Sequence, residues 1–289
     1  MPKLFGFAQL DIAGTLSLSD GRYLERDDDE EQVLVIRTLG SPPQPHRRRR
    51  RAKGVDPEPA AAPLPLARAT AIRAFAPFAD RDEARRWLEQ ATEAEETAEV
   101  IVADAVALLN RALHAQWVAA AEPHSRELTA ERAVAVRIGF GAGEEVADGR
   151  FTEAREVDVW ASGASRRRRR EEGMQPQERV AAVLGGRERL DACETLLLRG
   201  RADLDAGRGR EAALQLRIGL EALLAELGDS APDAGQAADV AALRERRAEA
   251  GEAANAALAG EPPPARLDQV EELLAISERV LRRRRILRG

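Results

Sequence analysis

The first forty residues carry a hydrophobic pattern with a period of two. Apolar side chains alternate along residues 5–9 and 16–18, and residues 32–39 (QVLVIRTL) form a run rich in β-branched side chains. This alternation predicts strands that bury one face. The Asp-Gly pair at Asp20 and Gly21 is typical of a tight hairpin turn. Residues 1–40 are therefore predicted to be N-terminal strands.

The period changes to that of a helix at Asp80. Asp80 with Glu83 three residues later matches a capping box, and apolar side chains then recur at helical spacing to about residue 121. A break is expected within residues 92–97. Strand patterns return at residues 133–140 and 151–160. We expect these strands to join the first ones in a mixed or antiparallel sheet backed by the long helix, so that residues 67–160 complete one α+β domain.

Every pattern beyond residue 177 is helical. Leucine stripes run through residues 190–204 and 216–227, and Ala206-Gly207-Arg208-Gly209 predicts the turn between two antiparallel helices. Further helices are expected near residues 234–258 and 267–287, separated by three prolines. Residues 177–289 are thus predicted to form a helical bundle, and the fold class is α+β, mainly α.

Two segments between these elements are predicted to be linkers. Seven prolines lie between Pro42 and Pro65, which indicates a linker over residues 41–66. Residues 161–176 form the second linker. Each linker contains five consecutive arginines.

The charge of the chain is unevenly distributed. The 289 residues have a formal net charge of −6, and only two of the 44 cationic side chains are lysines. Three arginine runs, the third at residues 282–285, hold 14 positive charges, so subtracting them from the net charge leaves −20 for the rest of the chain. Arginine clusters neutralise phosphates. The predicted polyanion-binding residues are those of the two linker runs: Arg47, Arg48, Arg49, Arg50, Arg51, Arg166, Arg167, Arg168, Arg169 and Arg170.

The sequence also indicates a compartment. Cys193 is the only cysteine, which excludes an internal disulfide and a cysteine-rich zinc module. No stretch approaches the roughly 18–20 apolar residues that a membrane span needs, and the N-terminus lacks the apolar core of a signal peptide. We expect a cytoplasmic protein that does not contact a membrane.

Four features of the sequence are candidates for a catalytic or ligand-binding site. Glu122 and His124 offer two metal ligands but no HExxH spacing, and the acidic run 27–31 lacks the spaced oxygens of a calcium loop. The glycines of residues 139–143 do not match a phosphate-binding GxGxxG motif and favour a glycine-rich hairpin. Cys193 has no histidine near it in sequence and lies on an apolar stripe. No catalytic residue, cofactor site or metal site is predicted.

The helical hairpin carries a family resemblance. Residues 204–221 resemble a single tetratricopeptide hairpin and are similar to the central helical pair of HEPN-type bundles. A second copy at a spacing of about 34 residues is not evident. The predicted C-terminal domain contains no histidine, so the ribonuclease chemistry of HEPN proteins is not implied. The chain as a whole resembles uncharacterised proteins of GC-rich bacteria, a resemblance that implies no activity.

Two functions follow as expectations. The leading hypothesis is a non-enzymatic helical adaptor or scaffold, whose C-terminal bundle binds a protein partner or a second copy of itself. The alternative is a nucleic-acid-associated protein in which the two linker runs bind phosphates without sequence specificity. A third hypothesis, an enzyme that uses carboxylates with Arg137 or Arg155 beside the sheet, requires a pocket where polar groups converge.

Overall fold

The chain forms two compact units, Met1–Glu171 and Glu172–Gly289. The computed structural model describes residues 2–27, 30–40, 64–122, 127–158, 176–227 and 234–288. The first unit contains an antiparallel sheet with helices, and the second contains helices and no strand among its described residues. The predicted fold class, α+β and mainly α, is confirmed.

Six strands make up the sheet of the first unit. Along the chain they are β1 (Leu4–Ala13), β2 (Gly21–Asp27), β3 (Glu30–Leu39), β4 (Leu66–Phe78), β5 (Ala133–Ala142) and β6 (Glu153–Glu156). Their order in the sheet is β2-β3-β4-β1-β5-β6, and every neighbouring pair is antiparallel. The N-terminal strand β1 is therefore central, because β4 and β5 both pair with it.

Two helices follow β4, as the change of period predicted. They are α1 (Arg81–Glu93) and α2 (Glu95–Ala120), and the break between them at Ala94 falls in the expected segment. The Glu83 amide donates to the Asp80 carboxylate at 2.8 Å, and the Glu83 carboxylate accepts from the Ala79 amide at 2.6 Å. These two bonds satisfy amides that the first helical turn leaves unpaired.

One face of the sheet packs against α1 and α2. Its fully buried strand residues are small or aliphatic apart from Phe140, and they include Leu10, Leu34, Ala69 and Ile138. Tyr23 and Phe78 are partly buried beside them. Alanines at alternate positions of β4 keep this face shallow, so that the leucines of α2 reach the sheet. This is the main core of the unit.

The opposite face is crossed by the connection between β5 and β6. This crossover, residues 143–152, contains the short helix α3 (Gly143–Ala147), whose Val146 and Ala147 pack on Phe7, Val35 and Ile72. Gly141 of β5 allows the close approach, because a Cβ there would lie 2.8 Å from Val146. Gly139 allows the neighbouring strand β6 to approach, because a Cβ there would lie 2.6 Å from the Ala154 Cβ.

Six helices lie within the described residues of the second unit. They are α4 (Pro176–Leu184), α5 (Ala192–Asp205), α6 (Gly209–Leu227), α7 (Ala234–Glu245), α8 (Arg247–Ala259) and α9 (Pro264–Arg288). The turn between α5 and α6 lies where residues 206–209 predicted it. The two helices approach closely because Gly219 faces Leu197, where a Cβ would come within 3.0 Å. The core contains alanines and leucines of α6, α8 and α9 with Cys193.

Several predicted elements were wrong in extent. Residues 16–18 lie outside the strands, and the described part of residues 151–160 contains only the four-residue strand β6. Strand β2 begins at the predicted turn. The helix expected at residues 234–258 is two helices separated at Arg246, whose side chain pairs with Glu249.

Strand β4 was not predicted, although it is the longest strand. Its sequence LARATAIRAFAPF alternates, but alanine has a low strand propensity and the polar half of the pattern is arginine and threonine. Pairing with β1 and β3 on either side overrides this weak local preference.

Candidate functional site

The two predicted arginine runs, 47–51 and 166–170, lie outside the described residues. The strands next to them are described. The segment 41–63 follows β3 and precedes β4, and the segment 159–175 follows β6. The ends of these strands therefore show where each segment leaves the sheet.

Both segments follow strands that run toward the same end of the sheet. Ile12 near the end of β1 lies opposite Ala67 near the start of β4 and opposite Ala133 at the start of β5. The last residue of β3, Leu39, lies at this end opposite Leu66, whereas the last residue of β6, Glu156, lies opposite Arg137 in the middle of β5. Strands β4 and β6 are three positions apart, about 14 Å at about 4.8 Å per strand. We call this the Ala13 end of the sheet.

A buried ion cluster lies near the Ala13 end, on the face that the crossover spans. Asp11 is 5% exposed, and Arg68 donates to both of its oxygens, at 2.7 and 2.9 Å. Arg137 adds a third bond of 2.8 Å. Burial raises the pKa of Asp11, but the bonds from the two guanidiniums outweigh it and hold that pKa below its usual value. Asp11 is therefore a fixed anion that orients two arginines.

Two uncharged polar side chains lie beside this cluster. Gln9, which is 1% exposed, donates from Nε2 to the Thr70 hydroxyl at 3.1 Å. Its Oε1 accepts no hydrogen bond from the described residues. The centre of this face is thus polar even where it is buried.

A second ion cluster lies where the crossover reaches β2 and β3. Arg22 contacts Glu144 at 2.7 Å and Asp148 at 3.4 Å. Arg37 donates to the Asp148 carbonyl at 2.7 Å and lies 3.6 Å from its carboxylate, and Arg150 is 3.9 Å away. We call these five residues the Asp148 cluster. Three guanidiniums from three elements converge there on one carboxylate, with Glu144 as a second anion.

The third arginine run lies on α9. Arg283 forms an ion pair of 3.0 Å with Asp239 of α7, and Arg284 forms one of 2.9 Å with Asp191 before α5. These two side chains face carboxylates of their own unit. They are less available to an external anion than a solvated run would be.

The histidines do not assemble a metal centre among the described residues. His114 lies on α2 with its ring edge against Trp117, at 5.1 Å between centroids, whereas His46 and His124 lie outside the described residues. No group of three or more His, Cys, Asp or Glu side chains within the described ranges is placed to hold a metal ion.

Cys193 lies in the core of the helical unit. Its side chain is fully buried, and burial together with the nearby Glu226 raises the pKa of the thiol to about 12. The thiolate form is therefore scarce at neutral pH, which argues against a nucleophile.

The remaining sequence features have structural roles where they are described. Gly139 and Gly141 lie within β5, and Gly143 begins the connection to β6, which pairs antiparallel with β5. The predicted glycine-rich hairpin is therefore confirmed, with these glycines in its first strand and its connection. In the acidic run, Glu31 pairs with Arg26 at 2.9 Å across β2 and β3, and residues 28–29 lie outside the described part. Arg155, proposed for an enzyme, donates to the Thr92 hydroxyl at 3.0 Å.

Two surface grooves have a volume of about 400 Å³ each. One lies at the junction of α1 and α2, where Trp87, Val100 and Ile101 line it together with Arg73 and Glu96. The other is lined by Ala182, Arg187, Glu188, Arg189 and Asp191. Neither groove contains the Asp11 cluster or the Asp148 cluster.

Sequence reasoning missed most members of both clusters. A signal for the first was present, because Gln9 and Asp11 occupy alternate positions of a strand whose other positions are apolar. The Asp148 cluster had no such signal, since Arg22 and Arg37 lie more than 100 positions before the crossover residues that they contact.

Among the described helices, none combines the length and apolar character that crossing a bilayer requires. No family model, no curated protein and no solved structure matches this chain.

Proposed function

We propose that this protein associates with nucleic acid, and that the runs 47–51 and 166–170 bind phosphates without sequence specificity. The supporting observation is topological. The strands that precede the two arginine segments both run toward the Ala13 end of the sheet and are four strand positions apart, about 19 Å across the sheet at about 4.8 Å per strand. Ten arginines that are distant in sequence therefore belong to two segments that follow strands of one sheet running in the same direction.

The charges of the two segments suit this role. Residues 41–63 contain six cationic and two acidic side chains, and residues 159–175 contain five and two. Most of the remaining chain is acidic and repels phosphate. Binding is therefore restricted to the Ala13 end and depends strongly on salt, because each phosphate contact releases counterions.

The composition of the runs sets the specificity. Each run contains arginine alone, without interleaved aromatic side chains on which bases would stack. Guanidiniums that contact phosphates position a protein on nucleic acid but do not read its sequence. We expect similar affinities for oligonucleotides of different sequence.

The test is fluorescence anisotropy with labelled single-stranded RNA and double-stranded DNA across a salt series. Replacing both runs by serine should abolish most binding and flatten the dependence of log K on log salt, by about 0.9 per lost contact on duplex DNA and about 0.7 on single strands. Replacing both runs by lysine is the matched control and should retain binding. A serine variant that binds with unchanged affinity and slope contradicts the proposal.

A second function, protein–protein interaction or self-association through the helical unit, is favoured by a different observation. The apolar side chains of α4 and the segment after it face solvent, with Val180, Leu184 and Leu190 each more than half exposed. Ion pairs connect this region to α5, since Arg179 pairs with Glu188 and Glu194 at 2.7 Å each.

Light scattering after size-exclusion chromatography tests this second function. We expect the wild-type chain to be oligomeric, or to bind a partner, and the Val180→Ser/Leu184→Ser double variant to be a monomer. A wild-type chain that is monomeric and behaves like the double variant in both assays contradicts it.

A further inference from the structure

We propose that the Asp148 cluster is a subsite for a nucleic-acid phosphate, in which the Asp148 carboxylate holds the arginines until phosphate displaces it. This inference rests on the proposed function. It adds described residues of the folded unit to the two arginine runs, and it assigns Asp148 an inhibitory role.

Three arginine donors converge in the Asp148 cluster. Arg22 belongs to β2, Arg37 to β3 and Arg150 to the crossover, yet all three face one carboxylate. The distances of 3.4, 3.6 and 3.9 Å are long for charge-assisted hydrogen bonds, which are usually about 2.7–2.9 Å. The donors of these guanidiniums are therefore only partly satisfied by Asp148. A phosphate presents more acceptor oxygens in a geometry that suits arginine forks.

The Asp148 cluster is accessible to an external anion. The side chains of Arg22, Arg37 and Asp148 are each between 43% and 47% exposed, and Arg150 is 71% exposed. An external anion reaches this cluster without movement of the core. The Asp11 cluster differs, because its arginines are bound to a carboxylate that is only 5% exposed.

The position of the Asp148 cluster in the sheet also favours a phosphate subsite. Arg37 lies two residues before the end of β3, and Arg22 is the second residue of β2, which runs antiparallel to it. Both therefore lie near the Ala13 end. A nucleic acid bound by the segment that follows β3 passes close to these side chains.

The local charge explains why Asp148 is inhibitory. Within the cluster three guanidiniums face two carboxylates, and Asp20 nearby accepts from Thr38. The surface is close to neutral, so it attracts phosphate weakly while Asp148 remains in place. Removing this one carboxylate charge leaves an excess of positive charge at the phosphate position.

The experiment compares matched substitutions in the full chain with a labelled single-stranded oligonucleotide. Asp148→Asn should tighten binding about fivefold, and Arg22→Gln and Arg37→Gln should each weaken it about fivefold and lower the salt slope by about one. Glu31→Gln and Arg26→Gln are the controls. They make the same charge changes in an exposed ion pair of the same two strands, at the far end of the sheet from the runs.

The test variants should change the affinity for the oligonucleotide more than the control variants do. Arg37→Lys keeps the charge without the fork and should lose less affinity than Arg37→Gln, and circular dichroism of each variant establishes that it is folded. If Asp148→Asn and Glu31→Gln change the affinity by the same factor, the subsite is refuted, even when the serine runs abolish binding. If the serine runs leave binding unchanged, the proposed function itself is wrong.

Discussion

The two faces of the sheet are built from the same strands but have different chemistry. Phe140 of β5 points into the helix-covered core, whereas the preceding residue, Gly139, points to the crossover face. On β1, Leu10 belongs to the first face, and Gln9 and Asp11 belong to the second. One face is packed with hydrocarbon, and the other combines a smaller apolar cluster around Phe7 with a buried ion cluster and an amide.

This difference separates stability from function. Hydrocarbon burial stabilises the fold in proportion to the area removed from water, whereas a buried ion pair is weak evidence for stability because desolvation offsets the attraction. Arginines held in fixed positions on the crossover face are instead suited to recognising anions. Mutations should therefore have their largest effects on stability at the helix-covered face, and their effects on binding at the other.

The largest expected effect on stability is at the helix-covered face. Phe140→Ala should lower the free energy of unfolding by about 3–5 kcal/mol, because a fully buried ring is lost and a cavity remains. Urea denaturation measures this. Val134→Ala on the same strand is the control, since Val134 is 63% exposed, and it should cost less than about 0.5 kcal/mol. Equal costs at the two positions would show that the face is not a packed core.

A smaller loss is expected at Gly139. In Gly139→Ala the new Cβ would lie 2.6 Å from the Glu153 carbonyl oxygen, which is backbone and cannot move aside cheaply. The cost should be about 1–3 kcal/mol, measured by the same denaturation. In the control Gly21→Ala, the nearest atom is 3.9 Å away, and stability should be unchanged or slightly higher. A stable Gly139→Ala would contradict the close packing of β6 on β5.

The third effect depends on pH. Asp11→Asn should cost about 2 kcal/mol at pH 7, because Arg68 and Arg137 lose their shared anion but remain partly hydrated. The pKa of Asp11 is lower in the folded state than the ordinary value of about 3.9. The carboxylate therefore stabilises the fold above that value, and its contribution disappears as the pH falls through the folded pKa.

Denaturation of wild type and Asp11→Asn across pH tests this. The difference in stability should be constant above about pH 5 and should shrink below about pH 4. Glu31→Gln, in an exposed ion pair, is the control and should change stability by less than about 0.5 kcal/mol. A difference that persists unchanged at low pH would show that the Asp11 charge is not its source.

Features with a local cause could be predicted from the sequence. The capping residue Asp80, the break before α2 and the turn at residues 206–209 all lie where their sequence signals are. Strand β4 and the division at Arg246 could not be predicted. The alanines of β4 have little strand preference, so their conformation depends on the partners β1 and β3.

The sequence alone determined the charge segregation, the positions of the three arginine runs and the mainly helical α+β class, because composition and short-range periodicity encode these. Only the tertiary structure decided that two of the runs follow strands that run toward one end of the sheet, and that Arg22 and Arg37 meet Asp148. The reason is that strand register and the path of a crossover depend on pairing between residues far apart in the chain, and no local pattern specifies which strands pair.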